Sequence, residues 1–109
     1  MKILEIDKHH GYVKVRVEYD DDLWILCMVI ASGDIVSALT IRDVRLGQEK
    51  HRIPMRLAIK VEKLEFQPFT GRLRIHGVII KGPDEYGLTV SHHTLSIDIG
   101  SEVKMVKKE

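Results

Sequence analysis

Three groups of residues in this 109-residue chain have types and spacings suited to chemistry. The first is basic. Arg42, Arg45, Lys50, Arg52, Arg56 and Lys60 fall in one window with only Asp43 and Glu49, a local excess of +4 in a chain whose net charge is +1. The charge is therefore concentrated, and the rest of the chain is net acidic. Cations gathered on a β-hairpin are suited to a phosphate backbone. The alternative is a solvated strand face whose charges pair with Asp43, Glu49 and Glu62, and the residues alone leave both readings open. The second group is Asp20-Asp21-Asp22, the one acidic cluster that could hold Mg²⁺ or Mn²⁺ through oxygen ligands for phosphodiester cleavage. Against a metal site, neighbouring carboxylates at a helix start point in different directions, and capping already accounts for them. Asp20, Asp21 and Asp22 are the metal and catalytic candidates, with His51 as a further catalytic candidate for proton transfer. General acid–base work by His51 would need a partner that the local sequence does not supply.

The third group is the six histidines. His9-His10 and His92-His93 are adjacent pairs on turn or strand backbone, where neighbouring side chains face opposite ways. No His or Cys spacing matches a zinc site. One imidazole of the His92-His93 pair is expected to pack inward with a hydrogen bond and the other to face solvent. Ser91, Ser96, Ser101 and Cys27 have no identifiable activating base and read as structural. Gly82-Pro83-Asp84-Glu85-Tyr86-Gly87 has turn chemistry but lacks the Gly-Lys-Ser/Thr ending of a phosphate loop.

The elements that must carry these residues are mostly strands. Period-two alternation predicts strands over residues 2–7 and 12–17, paired across a turn at His9-His10-Gly11. A helix is predicted to start at Asp20-Asp21-Asp22, whose carboxylates suit its N-cap and first turn. Leu23, Leu26, Cys27 and Ile30 recur at helical spacing, and Gly33 is positioned to close it. Strands are predicted again over 35–44, 55–66, 72–81, 92–99 and 102–106, with breaks at 46–52, 68–71, 82–88 and 100–101. Trp24, early in the helix, is expected to be a partly buried anchor. One short helix followed by five strands, some long enough to bend, is the order of an Sm-like small β-barrel, here with an additional N-terminal strand pair. An OB-like barrel places its helix later in the chain and fits less well.

Length and composition bound the function. The chain is long enough for one modest core and too short for two domains, and its 44% apolar and 30% charged content is that of a soluble globular protein. No apolar run reaches the length of a membrane span, and the amino-terminal residues do not read as a secretory signal. With the single Cys27, these features point to a cytoplasmic setting. The absence of Asn and the wealth of Lys, Arg and Glu resemble the bias of heat-adapted proteins. The strand pattern runs to the last residues without a cap or polar tail, the expectation being one domain of a longer protein.

An ordered series of segments resembles the amino-terminal domain of archaeal and eukaryotic pelota proteins. It comprises Gly11-Tyr12-Val13-Lys14-Val15, Asp21-Asp22-Leu23-Trp24, and Gly33-Asp34 leading into Ala38-Leu39-Thr40-Ile41-Arg42-Asp43-Val44. It continues in Met55-Arg56-Leu57, Val61-Glu62-Lys63, Arg72-Leu73-Arg74-Ile75-His76-Gly77 and His92-His93-Thr94-Leu95. The resemblance implies the Sm-like first domain of a three-domain factor for ribosome rescue and mRNA surveillance (no-go decay). Such a domain enters the decoding site of a stalled ribosome and probes the mRNA channel with a loop, which here corresponds to residues 46–52. Implied partners are rRNA and mRNA, a GTPase of the elongation-factor 1-alpha type and an iron-sulfur ABC ATPase, with the domain itself a monomer. Under this resemblance Arg42, Arg45, Lys50, His51, Arg52 and Arg56 become the RNA-contact set, and binding needs no cofactor. The loop is shorter than in many eukaryotic members. No Asn-Ile-Lys-Ser motif is present, so stop-codon reading is not expected. Two alternatives stand beside this reading. One is a divalent-metal-dependent endoribonuclease, an activity suspected in the family because mRNA is cut near stalled ribosomes. The other is a ring-forming Sm-like RNA-binding protein.

Overall fold

The computed structural model describes residues 1–82 and 92–107, without the side chains of residues 42–44. The alternating segments become β1 (Lys2–Asp7), β2 (Tyr12–Arg16), β3 (Ile35–Leu46), β4 (Glu49–Gln67), β5 (Arg72–Lys81), β6 (His92–Ile97) and β7 (Glu102–Val106), and the acidic start becomes α1 (Asp20–Val29). The strands form one sheet in the order β1-β2-β7-β3-β4-β5-β6, every described pair antiparallel. The predicted mainly-β class, Sm-like element order and extra strand pair are all present. The barrel is not closed: β1 and β6 are the two edges of the sheet. A side-chain bond crosses its concave side, with Thr40 Oγ1 of β3 3.2 Å from His93 Nε2 of β6.

Curvature comes from β4 and β5. Their register shifts twice, at Ala58/Ile59 and at Val61/Lys63, and each irregularity bends the strand and increases its twist. Gly77 sits at the bend. A Cβ built there would lie 2.2 Å from the carbonyl oxygen of Lys60, so only glycine lets the two backbones approach this closely. The concave face carries the core, including Leu57 and Ile59 of β4, Ile75 of β5, Leu95 of β6 and Val103 of β7, with Leu23 and Leu26 of α1 packed onto it.

The helix starts where the acids predict, but its N-cap is Tyr19 rather than an acid, and the third acid reaches back to the residues before the helix. The buried Asp22 carboxylate accepts the backbone N–H groups of Glu18 at 2.9 Å and Tyr19 at 3.0 Å, and pairs with the Met1 amino group at 3.0 Å. Burial alone would push the Asp22 carboxyl up. The bonds from Glu18, Met1 and Tyr19 outweigh that and hold it below the usual carboxylate range. The helix end differs from the expectation. The backbone turns extended at Ile30, whose side chain is buried and whose N–H bonds Leu26 O at 2.9 Å. Gly33 is not the cap: with φ of +95° it lies in the connection to β3, its N–H bonding Val61 O at 2.8 Å. Trp24 is half exposed and meets the Phe66 ring at 5.6 Å between centroids. The predicted turn over 82–88 lies, beyond Gly82, outside the described residues, as does Ser91.

Candidate nucleic-acid interface

The basic window forms an arm. Strands β3 and β4 pair from Ile35↔Lys60 to Leu46↔Glu49, but β7 accompanies β3 only as far as Ala38↔Val103, and β5 accompanies β4 only from Ala58↔Lys81. Beyond those points residues 39–46 and 49–57 continue as a two-stranded ribbon, roughly 25 Å long at the usual rise per strand residue. The connection is Gly47-Gln48. Gly47 has φ of +68° and Gln48 does not share a positive φ, the pattern of a type II′ hairpin turn with glycine in the first central position. The break predicted over residues 46–52 is thus a correction: only Gly47 and Gln48 leave the ladder. At the outer end of the ribbon, from Glu49 to Arg52, every side chain is exposed, so the strand needs no apolar alternation there and Glu49-Lys50-His51-Arg52 does not read as a strand.

Register decides which of the predicted residues act together. Directly paired residues project to one face, and faces alternate along each strand. Arg45 is paired with Lys50 and Arg56 with Leu39, and Arg52 lies between Lys50 and Arg56 in alternation. All four cations are exposed on the face opposite the buried Ala38, Met55 and Leu57, sharing it with Leu39, Ile41 and Pro54, and the backbone partner of Arg52 is Asp43. His51 is on the other face. Its Nε2 lies 3.3 Å from Glu49 Oε2, so the structure separates it from the cations with which it was grouped. Arg42 pairs with Ile53 along the backbone, and its side chain lies outside the described residues.

The acidic triplet does not converge. Asp22 is turned inward and engaged as described above, while Asp20 and Asp21 are exposed. Asp20 stands over the β4–β5 turn, where its Oδ1 would be 3.2 Å from a Cβ at Gly71. Among the described residues no three His, Cys, Asp or Glu side chains are placed to hold a metal ion. The histidine pair divides as expected: His92 is exposed with Nε2 3.2 Å from Glu62, and His93 turns inward to Thr40. Cys27 is half-buried beside the core.

One feature at the root of the arm escaped the sequence reading. Leu39, Arg56, Asp98, Ile99, Gly100, Ser101 and Glu102 line a hollow of about 460 Å³. The strand predicted over 92–99 ends at Ile97, and Ile99 belongs to the β6–β7 turn, held by a Ser101 Oγ to Asp98 Oδ1 bond of 3.0 Å. Glu102 is bound by Arg16 at 3.2 Å and Lys14 at 3.6 Å, and the Arg16 hydrogen bond holds its carboxyl below the usual range. Nothing local in the sequence could place this turn beside Leu39, because the contact depends on β7 joining β3.

Comparison with known proteins establishes the lineage. The family model of the Pelota N-terminal domain matches residues 1–109. The chain belongs to this family. Among curated relatives, a protein pelota homolog of Metallosphaera sedula is 50% identical over 108 residues, covering 99% of this chain and 32% of that protein. A solved model of ribosome-bound archaeal Pelota and ABCE1 is 34% identical, with a TM-score of 0.79, covering 98% of this chain and 32% of that one. The crystal structure of Thermoplasma acidophilum Pelota is 25% identical with a TM-score of 0.74, covering 100% of this chain and 29% of that one. The chain thus spans about a third of the length of its Pelota relatives. Among the described residues, no helix is long and apolar enough to cross a membrane.

Proposed function

We propose that this Pelota domain is the RNA-recognition module of a cytoplasmic ribosome-rescue and mRNA-surveillance factor, the first of three domains, and that its arm enters the decoding region of a stalled ribosome. In the complete factor an elongation-factor 1-alpha-type GTPase delivers it and an iron-sulfur ABC ATPase follows. The observation that carries this reading is the alignment of Arg45, Lys50, Arg52 and Arg56 on one outward face of a ribbon that projects beyond the sheet. Like charges directly opposite, as at Arg45↔Lys50, disfavour a ladder on their own, and a phosphate laid between them turns that cost into attraction. A narrow ribbon also reaches into a channel that the body of the sheet could not enter.

The test is a salt titration of binding to small ribosomal subunits and to a structured RNA, comparing the parent with the combined Arg45→Ala, Lys50→Ala and Arg52→Ala variant. Each lost phosphate contact lowers the slope of log affinity against log salt by about 0.7–0.9, so a fall of roughly 2–3 is expected. An unchanged slope would remove the arm from RNA contact. Measuring RNA length in the same samples, with Mn²⁺ and with EDTA, separates recognition from hydrolysis.

A further inference from the structure

We propose that the hollow at the root of the arm receives one unstacked nucleobase of the strand whose phosphates the arm holds, and that it prefers bases carrying an amino group over uracil. The proposal rests on the RNA-recognition reading and adds to it a base-reading site. Leu39 and Ile99 are 62% and 56% exposed, large aliphatic side chains left outside the core that line the same hollow, one from β3 and one from the β6–β7 turn. Nothing lies within 4 Å of where a Gly100 Cβ would be, so the rim between them is open. The volume of about 460 Å³ falls in the range of sites for small ligands.

The polar groups lining the hollow complement a nucleotide. Arg56 is across the ladder from Leu39, on the same face as the other arm cations, and continues their line to the mouth of the hollow. It suits the phosphate of the nucleotide whose base enters, while Leu39 and Ile99 pack on the base. Of the two carboxylates, Glu102 is already engaged by Arg16 and Lys14. Asp98 accepts the Ser101 hydroxyl through Oδ1, leaving Oδ2 to accept from a base edge. A carboxylate accepts from the amino groups of guanine, adenine and cytosine, and most fully from the adjacent N1–H and amino group of guanine. Uracil has no amino group, and its single N3–H is flanked by two carbonyl oxygens that a carboxylate meets unfavourably. Direct readout by Asp or Glu uses the same donor logic. Phosphate contacts on the arm would thus fix position, and the hollow would supply the base discrimination that they lack.

The folded 109-residue chain is titrated with GMP, AMP, CMP and UMP while the Leu39 and Ile99 methyl resonances are followed by NMR. Binding is then measured to a short single-stranded RNA and to the same RNA with one abasic position. Saturable methyl shifts with GMP that are much weaker with UMP are expected. Losing the apolar contact of one base with the two aliphatic side chains should make the abasic RNA about tenfold weaker. Ile99→Ser should reproduce that loss without altering the salt slope, and Asp98→Asn should narrow the preference for GMP over UMP. Silent methyls, together with Ile99→Ser binding as the parent does, overturn the hollow while leaving the arm intact. If the arm variant also keeps the parent's affinity and salt slope, the RNA reading falls with it.

Discussion

The arm and the body of the sheet are built from the same two strands, yet different forces hold them. Around Ala58 and Ile59, β4 has a neighbour on each side and a core beneath it. Beyond the last pairings with β5 and β7, the two strands pair only with each other among the described residues, and Arg45, Lys50, Arg52 and Arg56 are exposed there. A two-stranded ribbon with no third strand and no core is marginal in water. Stability is concentrated in the body and interaction in the arm, so changes in one should leave the other nearly untouched.

The largest effect that would test this separation is at the bend. Gly77→Ala places a methyl 2.2 Å from the Lys60 carbonyl, which forces β5 away from β4. A loss of about 3 kcal/mol or more in urea unfolding is expected, with the affinity of the folded fraction for RNA retained. A fully stable Gly77→Ala protein would mean that the close approach is not what curves the sheet. Next in size is the acid dependence set by Asp22. Its carboxyl is held below its unfolded value, so as the pH falls the unfolded chain takes up the proton first. The stabilisation is complete above the unfolded carboxylate range and drains away as pH falls from about 4 toward the lower folded value. Thermal melts between about pH 7 and pH 3 should show Asp22→Asn less stable at neutrality and flatter on the acid side. The smallest stability effect is expected in the arm. The triple alanine variant that removes Arg45, Lys50 and Arg52 should unfold within about 0.5 kcal/mol of the parent, as surface changes usually do. Hydrogen exchange sharpens the same contrast: amides over 40–53 should exchange well ahead of those over 57–61. Equal protection would mean that the arm shares the body's cooperativity.

The two regions were unequally legible in the sequence, for the same physical reason. Strands with one buried face announce themselves, and residues 72–81 and 102–106 carry the predicted bounds; residues 2–7 do so as well, although no side chain of β1 is buried. The inner half of β4 was equally clear because Met55, Leu57, Ile59 and Val61 face the core. Its outer end, from Glu49 to Arg52, has no core to face and read as a loop. The concentration of charge was visible before the fold, but its arrangement was not: the register is what puts Lys50 and Arg52 on one face and His51 on the other. Asp20-Asp21-Asp22 showed the reverse limit. Three acids in a row signal a helix start well, whereas the inward turn of Asp22 toward Met1 and Glu18 follows from tertiary packing.

Among the described residues, the ribbon that reaches outward also has no strand paired on either of its outer edges, an open template on which a second copy could add its own strand. Charged side chains at such an edge discourage that pairing. The cations assigned to RNA therefore also act as a solubility device, keeping separate copies from zipping together along their arms. Neutralising them would exact a second toll, self-association at high concentration, which a binding assay run on dilute protein would never register.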